Sequence, residues 1–187
     1  MDAKHTILSR LGHRNRPPKP LEMHVTPTVP KDLKAAFVES LEAAGGKVIS
    51  GETVRAWDRE SVQGCFDNVK NVIDAHEGAD VSVETMAACD LAIVEGEFGV
   101  AENGAVYIDP KGRYPRALLT LAKNLAIIFP ADNIVATMHE AYERIDLNAT
   151  DYALFMAGPS KTADIEQSLV IGAHGAMGVT VFMDGSC

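Results

Sequence analysis

Between residues 31 and 44 the apolar positions Leu33, Phe37 and Leu41 recur every four residues among polar ones. This spacing predicts an amphipathic helix, with Pro30 and Asp32 at its start and Gly45-Gly46 at its stop. Lys47 to Ser50 follows as a short strand. From Asp58 to about His76 the helical period returns through Val62, Phe66, Val69 and Ile73, which puts His76 at a helix C-terminus, where the dipole favours a cation. Trp57, just before, reads as a packing residue. Leu91 to Val94, Ala105 to Ile108, Leu125 to Phe129, Ala153 to Ala157 and Val179 to Met183 are continuous apolar runs of strand length. Helical stretches at Pro115 to Ala122 and Thr137 to Ile145 alternate with them. That alternation predicts an α/β fold, a mostly parallel open sheet with helices on both faces. His139 falls on the second of these helices as a surface residue.

A chain of 187 residues with 47% hydrophobic composition can bury a core and most simply makes one domain, residues 31–187. Residues 1–30 read as an N-terminal arm: a short helix through Ile7, Leu8 and Leu11, a basic patch at Arg14, Arg16 and Lys19, then Pro17, Pro18, Pro20, Pro27 and Pro30. His5, His13 and His24 have no metal-ligand spacing. Such an arm suits packing on a second copy, so a homo-oligomer is open. The net charge of -9 argues against nucleic acid and anionic membrane as partners. No apolar run reaches the ~20 residues a bilayer span needs and the opening has no signal-peptide form, so a cytoplasmic protein is expected. Cys65, Cys89 and Cys187 form no CxxC pair, which predicts free thiols and neither a zinc nor an iron-sulfur site in this chain. Cys65 and Cys89 are expected in the core and Cys187 at the surface.

Gly158-Pro159-Ser160-Lys161-Thr162-Ala163-Asp164-Ile165-Glu166 through Gly172-Ala173-His174-Gly175 is the stretch richest in candidate chemistry. It reads as strand, glycine loop and helix, with Thr162 as N-cap, Asp164 and Glu166 in the first turn, and Ile165, Leu169 and Gly172 at helical spacing. A Walker loop is excluded, because Lys161 follows Gly158 by only three residues. Carboxylates in the first turn disfavour a strongly charged phosphate. A small carboxylate held by Ser160, Lys161 and Thr162 fits better, beside the plainer reading that these side chains only cap a helix. Gly96 and Gly99 lack the GxGxxG spacing, so no flavin or nicotinamide cofactor is expected.

Gly-Pro-Ser-Lys-Thr-Ala-Asp-Ile-Glu followed by Leu-Val-Ile-Gly-Ala-His-Gly resembles the C-terminal signature of the LUD-domain family, with a weaker resemblance from about Leu33 to Asp184. Lys161 stands where that family usually has Arg, and Ala176 where it has Pro, so bidentate anion binding by a guanidinium is not available here. The resemblance implies a NagB/RpiA/CoA-transferase-like fold. It also implies a part in oxidation of lactate or a related organic acid, alongside iron-sulfur partner proteins.

Ala101-Glu102-Asn103-Gly104, ahead of an apolar strand, is similar to the Ser-Glu-Asn-Gly motif of class I CoA-transferases, in which the glutamate attacks the acyl group. That likeness makes Glu102 a candidate nucleophile, with Asn103 and Gly104 beside the substrate. Neighbouring Glu95 and Glu97 add carboxylates at a strand edge, where partial burial would suit one for proton transfer. The Gly-x-Gly-Gly-Phe loop that those transferases use as an oxyanion hole is absent from the sequence upstream. His174, flanked by glycines, either points into a cleft as a proton-handling group or caps a helix end. Glu102 and His174 are therefore the catalytic candidates, and a binding or assembly subunit with no chemistry of its own stays open as an alternative. Asn103, Gly104, Gly158, Ser160, Lys161, Thr162, Asp164 and Glu166 are the substrate-binding ones.

Overall fold

The computed structural model of the chain describes Ser9 and residues 29–51, 59–76, 78–146, 148–163 and 169–184. The expected N-terminal arm, apart from Ser9, Val29 and Pro30, lies outside the described residues, as do Trp57, Asp164, Glu166 and Cys187.

Helix α1 (Leu33–Ala43) forms where the four-residue spacing predicts it, with the Asp32 carboxylate accepting from the Ala35 N–H at its start. Phe37 and Leu41 on its inner face are fully buried. Strand β1 (Lys47–Gly51) follows. The helix expected over residues 58–76 is shorter: α2 (Arg59–Gly64) stops at its glycine, Asn68 takes a left-handed φ of 58°, and Val72–Asp74 becomes strand β2. Asn tolerates that backbone region, and the following Val-Ile pair gains a ladder against β3 (Leu91–Glu95). His76 thus follows a strand, not a helix. A short helix, α3 (Val83–Ala87), capped by Ser82, completes this connection.

Strands β4 (Phe98–Val100) and β5 (Ala105–Ile108), helix α4 (Leu118–Leu121), strands β6 (Asn124–Pro130) and β7 (Ile134–Val135), helix α5 (Met138–Arg144) and strand β8 (Leu154–Met156) come next. The chain then runs through β9 (Lys161–Ala163), β10 (Leu169–Ile171) and β11 (Gly178–Asp184).

The main sheet has the order β1-β11-β6-β3-β2 and is parallel throughout. Side chains alternate across it. Leu91, Ile93, Ala126, Ile128 and Phe182 pack with Val62 of α2 on one face. Ala92, Val94, Leu125, Ile127, Phe129, Val181 and Met183 face α1, α3 and α4 on the other. Burial on both faces explains why these strands read as unbroken apolar runs. A second, mixed sheet of order β7-β4-β5-β8 stacks on the α1 side. Its outer face carries Phe98, Val100 and Tyr107 beneath α5. The molecule is therefore the expected α/β fold with a mostly parallel sheet.

The helix expected after Gly158 is a β-hairpin. Leu169, Val170 and Ile171 pair antiparallel with Ala163, Thr162 and Lys161. Thr162 is a residue of strand β9 and not the start of a helix. A short apolar run of helical spacing does not distinguish helix from strand, and the Leu-Val-Ile segment is rich in residues that favour a pleated backbone. Cys89 is buried as expected, whereas Cys65, at the end of α2, is exposed.

Candidate functional site

The turn between β4 and β5 is built from the residues that resemble the transferase motif. Ala101 and Glu102 donate their N–H groups to the carbonyls of Val135 and Ala136. The Asn103 side chain accepts from the Ala105 N–H at 3.0 Å, and Gly104 adopts φ 67°. A Cβ at Gly104 would stand 2.3 Å from the Leu41 nitrogen, so this turn rests directly on the backbone of α1. The Ser40 hydroxyl, one residue earlier, donates to the Ala101 carbonyl at 2.8 Å. Glu102 is exposed, and its carboxylate accepts from the Met138 N–H at 2.8 Å. This is the first residue of α5; within its first turn the Glu140 N–H donates to Thr137 Oγ1, and the Ala136 N–H, just before the cap, donates to Glu140 Oε2. Glu102 therefore holds a helix N-terminus, where a carboxylate offsets the dipole.

The Gly158 loop reaches the same helix one turn later. Gly158 has φ 80°, and a Cβ there would lie 2.9 Å from the Ala44 carbonyl oxygen. The exposed Lys161 brings its ammonium over Gly45, at the C-terminal, negative end of α1. The Ser160 N–H donates to the Ala176 carbonyl, and its own carbonyl accepts from the Gly172 N–H, so the backbone of Ser160 is already paired. The exposed Lys161 side chain brings a cation to this loop. Gly175 packs against Ser160, which brings the exposed His174 to this end of the molecule. His174 lines a cleft with Lys123, itself paired to Asp90 at 2.7 Å.

Ala44 and Gly45 precede β1, and the Lys123 carbonyl, just before β6, accepts from Met177 and Gly178 at the start of β11. Gly158, Ser160, Lys161 and His174 thus gather at the amino edge of the parallel sheet. The Glu102–Gly104 turn meets the same helix at Ser40 and Leu41. Open α/β sheets more often hold ligands at the carboxyl edge.

At that carboxyl edge the structure assembles groups that no motif announced. Arg113 pairs with Glu95, at the end of β3, at 2.5 Å. Lys111 pairs with Glu97, which raises the lysine's pKa. Asp109, after β5, is only 6% exposed and accepts from the Lys111 N–H at 2.9 Å. Burial pushes the Tyr114 hydroxyl up to about 12, so it stays protonated at neutral pH. Asp109, Lys111 and Tyr114 border a cavity of about 450 Å³, closed on its far side by Thr150, Asp151 and Tyr152. The available sequence signal was the charged Asp-Pro-Lys-Gly-Arg segment after an apolar strand, without any partner near in sequence.

Among the described residues, no group of three or more His, Cys, Asp or Glu side chains is arranged to hold a metal ion. No described helix is long and apolar enough to cross a membrane.

The sequence model of the family described as LUD domain matches residues 52–183. Lactate utilization protein C of Shouchella clausii is 29% identical over 155 residues, covering 78% of this chain and 66% of that protein. The protein of the same name from Halalkalibacterium halodurans is 26% identical over 158 residues, 77% of this chain and 69% of its own length. Lactate utilization protein C 1 of Bacillus mycoides is 33% identical over 94 residues, 47% of this chain and 40% of that one. The match thus spans from two-fifths to about two-thirds of the length of these relatives. Among solved structures, a DUF162 family protein from Deinococcus radiodurans superposes with a TM-score of 0.60 at 13% identity, covering 82% of this chain and 96% of that chain. That likeness concerns the fold.

Proposed function

This chain belongs to the LUD domain family, and from that premise we propose that it takes part in the oxidation of lactate or a related organic acid, working with iron-sulfur partner proteins. The observation that carries the proposal is the similarity to lactate utilization protein C over 78% of the chain. On this reading the protein is cytoplasmic and binds a small carboxylate at the amino edge. Lys161 supplies the positive charge there and Ser160 a hydroxyl donor, with His174 at the rim. Glu102 serves as architecture on this reading, its carboxylate accepting from the Met138 N–H at the start of α5. An acyl-transfer role would instead use the other carboxylate oxygen as the nucleophile.

Thermal unfolding of the full chain against lactate, pyruvate and glycolate tests the ligand site. A ligand at a hundred times its Kd adds about 2.7 kcal/mol, which raises the midpoint by several degrees in a domain of this size. The rise should appear in the wild type and vanish in Lys161→Ala. A rise that survives in Lys161→Ala removes the carboxylate from this loop. The role of Glu102 is tested by Glu102→Gln, whose amide oxygen still accepts from Met138. Lactate-dependent function should persist in this variant, and its loss together with a covalent adduct trapped on Glu102 of the wild type would establish the transferase reading instead.

A further inference from the structure

The cavity at the carboxyl edge is lined by two side-chain hydroxyls that the fold leaves without partners. Tyr114 is 5% exposed, and its hydroxyl is shielded from water with no hydrogen-bond partner among the described residues. Thr150 Oγ1, across the cavity, is in the same condition. A buried polar group without a partner costs stability, so two on one cavity wall call for an explanation beyond packing. The neighbouring cations differ in their commitments. Lys111 and Arg113 are paired with Glu97 and Glu95. Arg116 has no carboxylate partner among the described residues and lies with its guanidinium carbon 5.5 Å from the centre of the Tyr152 ring. It is exposed and borders the same cavity. A planar cation over an aromatic ring, two hydroxyls behind it and the Asp109 carboxylate beside them form a mixed polar wall.

We propose that this cavity binds an organic hydroxy acid, with its carboxylate on Arg116 and its further oxygens on the hydroxyls of Tyr114 and Thr150. The hydroxyls lie just behind the cavity surface, so a small side-chain movement brings them to a ligand. Asp109 accepts from a hydroxyl of the acid, a contact that an anion without an O–H group, such as lactate's oxidised form pyruvate, cannot make. About 450 Å³ falls within the range of small-molecule pockets and leaves room for an acid larger than lactate. The site is separate from the one at Lys161, which lies at the opposite edge of the sheet.

Calorimetric titration of the full chain with malate, citrate, lactate and inorganic phosphate is the test. Malate or citrate should bind the wild type more tightly than lactate or phosphate. Tyr114→Phe and Arg116→Gln should each weaken binding about tenfold or more. A second measurement separates a ligand contact from a structural one: without ligand, Tyr114→Phe should unfold at the same temperature as the wild type or higher, because it removes only an unpaired hydroxyl. Failure of both malate and citrate to bind, phosphate binding as tightly as either, unchanged affinity in Tyr114→Phe, or a marked loss of stability in that variant would each overturn the proposal.

Discussion

Gly104 and Glu102 are two residues apart and differ sharply in what they tolerate. At Gly104 a side chain would meet the nitrogen and Cα of Leu41 at 2.3 and 2.5 Å, and φ is 67°. Helix backbone cannot move aside as a flexible side chain would. Strain and overpacking together predict that Gly104→Ala costs about 3 kcal/mol or more in urea denaturation. Glu102→Gln keeps the acceptor for Met138 and loses only the charge at a helix end, so about 0.5 kcal/mol is expected. The need for glycine at this turn comes from the backbone of α1 packed against it and is not legible in the sequence. Nor does the sequence show that the glutamate is used inside the fold, because its partner, Met138, lies 36 residues away. Cys65 was misjudged for a related reason: apolar neighbours in sequence do not reveal which way a residue at a helix end faces.

Elements were legible where length and burial agree. The strands of the main sheet carry apolar side chains to both faces, so their runs are continuous and end at glycine, proline or charge. Helix α1 announces itself by period, cap and stop. Short elements escaped because one or two turns leave too little pattern: α2 has six residues and α3 five. The hairpin of β9 and β10 was missed because Ile165 and Leu169 share helical spacing with any run of that composition. Helix α5 shows how local chemistry fixes a short element. Thr137 accepts from the Glu140 N–H, and the Glu140 carboxylate reaches back to the Ala136 N–H at 3.0 Å. Thr137→Ala should cost about 1 kcal/mol in chemical denaturation. The same variant loosens the support beneath Phe98 and Tyr107, whose rings stack 5.0 Å apart, so amide exchange should quicken in α5 before it does in β6.

For the whole molecule, pH acts through Asp90 at the amino edge. The Lys123 ammonium, with the Asn71 and Lys70 N–H groups, lowers its pKa from 3.8 to about 2. A depressed carboxylate stabilises the fold above its unfolded pKa, and that contribution disappears as pH falls from about 4 through 2. Acid titration followed by circular dichroism should show stability falling in this window, with a shallower fall in Asp90→Asn. At the alkaline end Tyr114, held at about 12, resists ionising in the fold, so stability should decline once pH exceeds 10 and the unfolded chain ionises. The overall architecture was readable from the alternation of strands and helices. The carboxyl-edge cavity was not, because it joins residues near 110 to residues near 150, and only the folded topology brings them together. That topology also orders events during synthesis. Strand β11 lies between β1 and β6, and among the described residues β1 has no other neighbour in the sheet. Until residues 178–184 leave the ribosome, β1 has no partner among the described strands and one apolar edge of β6 stays open. The late strand is thus the one that closes the sheet, and its arrival covers two strand edges at once.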